Sequence, residues 1–357
     1  MELAKEHNVF IGKEVFEFFE KYFLDARNYS DCVILTDVNV AEKCLPLLYE
    51  NVPVTENVPV IVLPDGEENK NIQTCIHIWN TWLEHEYDRN VLVVVLGGGM
   101  VCDLGAFCAS VYKRGVDYVL FPTTLMAQCD AAIGGKNGVN FKHYKNQLGT
   151  YQLPEAVFIY PEFLRTLSKR QMINGFAEMI KHALIQDPGY WHFLQTMPLG
   201  EFEKLQQAIL FSVKIKQKIV SGDFLDRGMR QALNFGHTVG HAIETLAIEK
   251  KADIYHGEAV AAGMIMELYF SYKFCGLEWD TLNEVAVYIA QLYPFIELDE
   301  NDLIRLYEII KKDKKNNNGQ IRLSLIEAIG FPVTGVTVKD FELFVEAYAY
   351  YLNVYGK

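Results

Sequence analysis

Over the first 160 residues, short continuous apolar runs alternate with stretches of helical spacing. "CVILTD" (32–37), "VPVIVLPDGEENK" (58–70), "NVLVVVLGGG" (90–99), "DYVLFPTT" (117–124) and "AVFIYP" (156–161) read as buried parallel strands, each ending in polar or glycine residues. Between them lie helical patterns such as "IQTCIHIWNTWLEHE" (72–86). Strand and helix alternating in this way predict a parallel sheet wrapped by helices, with ligands at the carboxyl ends of the strands. After about residue 161 the pattern changes. "QMINGFAEMIKHALI", "FEKLQQAILFSVKIKQKIV", "MRQALNFGHTVGHAIETLA", "GEAVAAGMIMELYFSYKF" and "DFELFVEAYAYYLNV" carry helical spacing with few strand signals. The expectation is an α/β domain over 1–160 followed by a mainly helical domain over 161–357. "KKDKKNNNGQ" (311–320) reads as a solvated loop.

Composition narrows the class. A chain of 357 residues, 50% of them hydrophobic, can bury a large core. The net charge of −13 supplies no general basic field, which argues against nucleic acid as a partner; an anionic substrate must be caught by a local cluster. Seven scattered cysteines without a C-x-x-C pair suit reduced thiols and a cytoplasmic location. Neither a cleavable leader nor the roughly 18 uncharged apolar residues of a membrane span is legible, so no membrane partner is expected.

"VVVLGGGMVCDLG" places three glycines between a strand and an apolar helix, where backbone N–H groups at a helix start can approach a pyrophosphate. From Gly97 the G-x-G-x-x-G fingerprint needs glycine at 102, where Cys102 stands, so a tight turn is the plain alternative. "DGEENK" adds Glu67 and Lys70 and "PTT" adds hydroxyls to the same rim. "DAAIGGKNGVN" (130–140) fails as a P-loop, with Asp130 and Asn137 at the positions that need glycine and a hydroxyl residue. It remains a flexible glycine loop presenting Lys136, followed by Lys145 and Asn146. With Arg114 of "YKRG", these are candidates for a local anion site, although any one of them could be an ordinary surface residue.

In "GMRQALNFGHTVGHAIE", Arg230, Asn234, His237 and His241 follow spacings of four, three and four, which predicts one polar stripe on one helix. Such a stripe is either solvated or a site. Gly236 and Gly240 each cost about 1 kcal/mol of helix propensity and make sense where a backbone or ligand must come close. Thr238 replaces the glutamate of H-E-x-x-H, so a metalloprotease is not indicated. A catalytic zinc takes three protein ligands, and the outside candidates are Glu178 and His256. Glu178 with Lys181 could be a surface pair worth about 0.2–0.5 kcal/mol. Yet its neighbours Phe176, Ala177, Met179 and Ile180 are apolar, and a carboxylate among them needs a cation.

In order and spacing, "GGGMVCDLG", "YKRGV", "PTTLMAQCDAAIGGKNGVNF", "KNQLG", "GFAEMIKHALI", "GMRQALNFGHTVGHAIE", "HGEAVAAGM" and "KDKKNNNG" resemble the 3-dehydroquinate synthase family, second in the shikimate pathway. The similarity runs from about residue 60 to 325; the first 60 residues are compatible with it. The resemblance implies a Rossmann-like α/β N-terminal NAD-binding domain with a parallel sheet and a mainly α-helical C-terminal domain, with the active site in the cleft. It further implies NAD, one divalent metal (zinc or cobalt), a small-molecule sugar-phosphate substrate and a homodimer.

Carried over by position, Glu178, His237 and His256 resemble the metal ligands. Arg114, Lys136, Lys145, Asn146, Arg230, Asn234, His241 and Lys314 resemble substrate and phosphate contacts, and Asp130, Lys181 and Lys216 other active-site positions. The NAD contacts would be Asp37, Asn39, Asp65, Glu67, Lys70, Gly98, Gly99, Met100, Val101, Asp103, Thr123, Thr124, Phe163 and Thr166, with Asp130, Lys136 and Lys145 shared between the two sets. Asp226 departs from the glutamate common in the family beside Lys216, and the segment between His237 and His256 is slightly longer than in many members.

The implied reaction turns 3-deoxy-D-arabino-heptulosonate 7-phosphate into 3-dehydroquinate and phosphate through transient oxidation by NAD, phosphate elimination, reduction and aldol closure. The alternatives are another sugar-phosphate cyclase, which the Asp130, Lys136 and Asn146 set argues against, a metal-dependent polyol dehydrogenase, and a non-catalytic binding paralogue.

Overall fold

The protein is seen in a computed structural model that describes residues 2–4, 8–142, 144–198, 200–312 and 321–357. Two compact units are formed: Met1–Met172 with Lys216–Phe224, and Ile173–Ile215 with Leu225–Lys357. The expected 160/161 division leaves out both the later switch and the short segment that belongs with the first unit.

The first unit holds strands β1 (Glu2–Ala4), β2 (Val9–Ile11), β3 (Asp31–Asp37), β4 (Val60–Leu63), β5 (Val91–Gly97), β6 (Asp117–Pro122), β7 (Lys136–Phe141), β8 (Tyr144–Tyr151) and β9 (Ala156–Ile159). Its helices are α1 (Val15–Phe19), α2 (Val38–Lys43), α3 (Leu45–Asn51), α4 (Ile72–Glu84) and α5 (Gly99–Val111). Seven strands form one sheet in the order β1-β2-β9-β6-β5-β3-β4. All its pairings are parallel except that of edge strand β1 with β2. β5 is buried at every position, as a continuous apolar run in a central parallel strand requires. From β3 the chain goes first to β4 on one side and then to β5 on the other. The strand order therefore reverses between β3 and β5, where a doubly wound sheet opens a crevice. Gly105 lets α5 lie against this part of the sheet, since a Cβ there would stand 2.8 Å from Val95 and 3.0 Å from Leu35. Below it, Phe19, Phe121 and Phe158 anchor an aromatic core, with the Phe121 and Phe158 ring centres 4.9 Å apart.

Residues 136–140, the end of the stretch 130–140 expected as a flexible glycine loop, belong to a β-hairpin: β7 pairs with β8, and Gly138 lies so close to Leu148 O that a Cβ would come within 2.4 Å of it. A polar network holds this hairpin. Asn137 Oδ1 accepts from Thr150 N and from Thr150 Oγ1 (2.5 Å), and the Thr150 and Ser110 hydroxyls are 2.8 Å apart.

The chain continues with α6 (Lys169–Gln186), α7 (Pro188–Thr196), α8 (Phe202–Gly222), α9 (His237–Lys250), α10 (His256–Cys275), α11 (Trp279–Leu292), α12 (Glu300–Lys311), β10 (Ile321–Ala328), β11 (Phe331–Val338) and α13 (Phe341–Val354). In the second unit α10 is the core helix. It is apolar on nearly all sides and packs against α9, α11, α13 and β10. Gly263 and Gly240 bring α9 and α10 together, for a Cβ on Gly263 would sit 2.1 Å from Gly236 O. The β10–β11 hairpin is a strand pair that the helical reading of this half omitted. Among the described residues, no helix is long and apolar enough to cross a membrane.

Candidate functional site

In the first unit the expected polar residues gather at the carboxyl ends of β3, β4 and β5. Asp37 closes β3, and its Oδ1 caps α2 by accepting from Asn39 N (2.9 Å) and Val40 N (3.0 Å). Burial raises its pKa despite these bonds. Asn39 Nδ2 donates to Asp65 Oδ2 (2.8 Å). Lys70, buried, places Nζ 2.5 Å from Asp103 Oδ2 and 2.7 Å from Asn146 Oδ1. Burial raises the Asp103 pKa, and Lys70 opposes the rise. Asn140 joins the group by donating to Glu67 Oε1 (2.9 Å) and accepting from Asn146 N (2.9 Å). The hairpin thus carries Asn146 to the strand-end rim, its backbone left-handed at φ 49.

Gly98 precedes α5 and, having no side chain, offers no cap to the first-turn N–H groups. Cys102, which breaks the glycine fingerprint, points Sγ back to Gly97 O (3.4 Å), and the close helix-to-strand contact is supplied three residues on by Gly105. Thr124 lies beside Gly98, where a Cβ would meet its Cγ2 at 3.0 Å. The buried Thr123 hydroxyl has no hydrogen-bond partner among the described residues. Asp130 is paired with Lys216, whose Nζ is 2.8 Å from Asp130 Oδ1 and 2.6 Å from Asp130 O. Lys136 opens β7 and lines a small cavity with Asp103, Tyr118 and Asn137.

Other candidates stand elsewhere. Phe163 is fully buried in the aromatic core beside Phe16 and Tyr160, and Val101 is buried under Gly97, so neither offers a free side chain to a ligand. Thr166 donates to Phe163 O (2.9 Å). Arg114 lines a separate cavity with Arg89, Val111 and Lys113, in a turn where Lys113, Arg114 and Gly115 all have positive φ. Lys314 lies outside the described residues.

In the second unit the predicted four-residue helical stripe is interrupted. Arg230 and Asn234 belong to a 3-10 turn, Met229–Asn234; Gly236 is left-handed at φ 76, and α9 begins only at His237. Only His237 and His241 share the helix, with ring centres 5.2 Å apart. Arg230 is buried, and Asn234 Nδ2 donates to Gln231 O (3.0 Å).

Glu178 on α6, His237 at the first residue of α9 and His256 at the first residue of α10 converge. Glu178 Oε1 is 3.3 Å from His237 Nε2 and 3.2 Å from His256 Nε2. One donor atom from each residue fits within 4.8 Å of the others. Glycine makes the approach possible: Gly257 N donates to Asn174 Oδ1 (2.6 Å), and a Cβ on Gly257 would lie 2.0 Å from Asn174 O. α10 therefore starts against α6 one turn before Glu178.

The far ring nitrogens are already engaged. His237 Nδ1 lies 3.1 Å from Phe235 O, and since a carbonyl only accepts, Nδ1 carries the proton and Nε2 the lone pair. His256 Nδ1 lies 3.1 Å from Glu244 Oε2 and its Nε2 3.2 Å from Glu178 Oε1, so in the metal-free protein both ring nitrogens face carboxylates and the imidazole is held protonated. Neither Glu244 nor these backbone partners were singled out from sequence, although Glu244 lies seven residues, two turns, beyond His237 on the same face of α9.

Burial alone would raise the Glu178 pKa, but Lys181, ion-paired with its Oε2, and the two histidines hold it well below the usual carboxylate range. Burial, aided by Lys181 and His256, lowers His237. Burial would also lower His256, yet Glu244 and Glu178 together push it up to about 10. The place between Glu178 and His256 thus holds a positive charge, which a divalent cation would supply more fully than a proton. Three N/O donors, one of them anionic, suit zinc or cobalt with a position left open once His256 exchanges its proton for the metal.

Comparison with known proteins accounts for both halves. Residues 60–174 match the family described as 3-dehydroquinate synthase N-terminal, and residues 175–316 match 3-dehydroquinate synthase C-terminal. A 3-dehydroquinate synthase of Parabacteroides distasonis is 41% identical over 310 residues, 86% of this chain and 88% of that protein. Among solved structures, 2-epi-5-epi-valiolone synthase from Streptomyces hygroscopicus with NAD+ and Zn2+ bound superposes with a TM-score of 0.84 at 23% identity, covering 99% of this chain and 98% of that one. A 2-deoxy-scyllo-inosose synthase complexed with carbaglucose-6-phosphate, NAD+ and Co2+ gives 0.82 at 23% identity over 95% of each chain. The latter two likenesses concern the fold. The family matches and the relative of high identity establish that the chain belongs to the 3-dehydroquinate synthase family.

Proposed function

We propose that this chain converts 3-deoxy-D-arabino-heptulosonate 7-phosphate to 3-dehydroquinate and phosphate as a carbon–oxygen lyase, with NAD regenerated in each turnover and one divalent metal, zinc or cobalt. Family membership supports the substrate. The observation that carries the chemistry is the donor set Glu178, His237 and His256, in which both histidines turn Nε2 toward one carboxylate oxygen. The cyclase structures bound to NAD+ with Zn2+ or Co2+ support the two cofactors.

When bound, NAD supplies a hydride acceptor and the metal a Lewis acid for the reacting hydroxyl. The chain's own residues then have distinct tasks. The open N–H groups after Gly98 and the ring of Asp37, Asn39, Asp65, Glu67, Lys70, Asp103, Thr123 and Thr124 hold the dinucleotide. Lys136, Lys145 and Asn146 bind and orient the phosphate, whose departure needs compensating positive charge. The Asp130–Lys216 pair fixes a cation beside them. In the second unit Lys181 keeps Glu178 ionised, Arg230 and Asn234 bind substrate oxygens, and His241, its ring 5.2 Å from that of His237, moves a proton. The family implies a cytoplasmic homodimer, and the described cysteines are all free, in keeping with a reducing compartment.

The test is phosphate release from the heptulosonate substrate with catalytic NAD, with and without a chelator. Phosphate should appear without net absorbance at NADH wavelengths and should stop when metal is stripped. Steady NADH accumulation would indicate a dehydrogenase. Phosphate from other sugar phosphates but not from this one would indicate a different cyclase.

A further inference from the structure

α9 and α10 each begin with a metal-ligand candidate, His237 and His256, and each also carries a buried glutamate further along, Glu244 and Glu267. Glu244 of α9 engages His256 of α10 directly. Glu267 of α10 is fully buried and lies eleven residues, close to three turns, beyond His256, hence on the same face of its helix. Its Oε2 accepts from Gly236 N (2.7 Å), and its Oε1 accepts from Val239 N (3.1 Å). Gly236 N belongs to the same peptide unit as Phe235 O, the atom that accepts from His237 Nδ1 (3.1 Å). A carboxylate, a peptide and an imidazole thus stand in line, with a hydrogen bond at each junction.

We propose that Glu267 is a positioning residue for His237, acting through the Phe235–Gly236 peptide. Negative charge at the peptide N–H polarises its carbonyl, which strengthens the bond from Nδ1–H and makes Nε2 a better donor. The bond to Val239 N fixes the first turn of α9, and the left-handed Gly236 gives the peptide the orientation this requires. The bracing is therefore reciprocal: each helix contributes one ligand and the carboxylate that aims the other helix's ligand. Glu267 could be explained as a helix cap alone, satisfying orphan N–H groups. A cap by itself gives no reason for the carboxylate to share a peptide with the acceptor of the ligand histidine.

This inference rests on the metal reading above, and the test separates the two. Zinc affinity of the purified full-length protein is measured by competition with a chromophoric chelator, the visible spectrum of the cobalt-loaded protein is recorded, and the melting temperature of the metal-free form is followed alongside. Glu267→Gln should bind zinc about 10- to 100-fold more weakly than the parent and shift the cobalt bands. Glu267→Asp, which keeps the charge but reaches less far, should fall between the two. A parent protein that takes up no zinc would overturn the metal reading itself. Zinc affinity and cobalt bands unchanged in Glu267→Gln, with only the melting temperature lowered, would assign Glu267 to capping and overturn this proposal alone. If Glu267→Gln fails to fold, Glu267→Asp decides by the same criterion, and failure of both to fold likewise assigns the residue to capping.

Discussion

Gly257→Ala tests whether the metal ligands are aimed by backbone contact. The added Cβ would lie 2.0 Å from Asn174 O and 2.8 Å from Asn174 C, whereas real Cβ contacts are essentially never shorter than 3.0 Å. The backbone cannot give way as the tip of a side chain would, so the start of α10 must move from α6 by at least about 1 Å. Overpacking of this kind typically costs about 1–3 kcal/mol, and the higher helix propensity of alanine returns at most about 1 kcal/mol. The net loss of stability should be about 3 kcal/mol or less. The metal is far less tolerant, because ligand distances are held to about 0.2 Å. His256 is the residue next to the clash, and its Nε2 already stands at the 3.2 Å from Glu178 that a shared cation requires. Zinc affinity should therefore fall by at least about 100-fold while the metal-free protein still unfolds in one cooperative transition. Metal content after dialysis against a weak chelator, set beside urea melts of the metal-free form, measures both quantities. Retention of stoichiometric zinc at parental affinity, with α10 intact, would refute the geometric argument.

Three further outcomes follow from the same structure. In metal-free protein the His256 pKa is raised to about 10 from an ordinary 6.5, so its ion pairs contribute stability that is complete below about pH 6.5 and is lost as pH rises through about 10; zinc binding near pH 8 should accordingly release about one proton, measured by calorimetry in buffers of different ionisation enthalpy, and no release would contradict the bridged imidazolium. His241→Ala should keep its zinc yet turn over about 10² to 10⁴-fold more slowly, and loss of metal in this variant would make His241 a ligand instead. Lys70→Met strands the Asp103 carboxylate, which now lies 2.5 Å from Nζ, and should cost about 3 kcal/mol in urea melts, shrinking as pH falls and Asp103 takes up a proton; a pH-independent cost would mean the ion pair is not its source.

Five strands of the sheet were legible because the central ones are buried on both faces and read as uninterrupted apolar runs, β5 being the clearest; the three-residue β1 and β2 at one edge were not. The hairpin strands that escaped are of another kind. Lys136–Phe141 and Tyr144–Tyr151 hold together through paired backbones, glycines and the Asn137–Thr150 bonds, so no apolar alternation marks them. Ile321, Leu323 and Leu325 do alternate, and the strand signal was present there, outweighed by the helical texture on either side. The spacing of Arg230, Asn234, His237 and His241 fits a helix equally well in sequence; Gly236, which adopts φ 76, is what separates the 3-10 turn from α9. Propensity can flag such a glycine as costly but cannot say whether it bends the chain or admits a neighbour, and here it does both.

The candidate metal donors were each legible from residue chemistry but were joined as one ligand set only through a resemblance, since Glu178 and His256 lie 59 and 19 residues from His237 and no local spacing joins them. What the sequence could not display is why they meet. Gly257 lets α10 start against α6, and Gly240 with Gly263 lets α10 run against α9. Glu178 is then buried, with Lys181 as its fixed counter-charge. A buried carboxylate with one lysine is already neutral as a pair, so adding two histidines and Glu244 around it serves no need for charge balance. Their arrangement makes physical sense if the cluster trades a proton for a divalent ion: Glu244 and Phe235 O engage the far ring nitrogens, and Glu178 presents one oxygen to both imidazoles. The glycines and the carboxylates are two parts of one device, the first setting the distance between three helix segments and the second setting which atoms face each other across it.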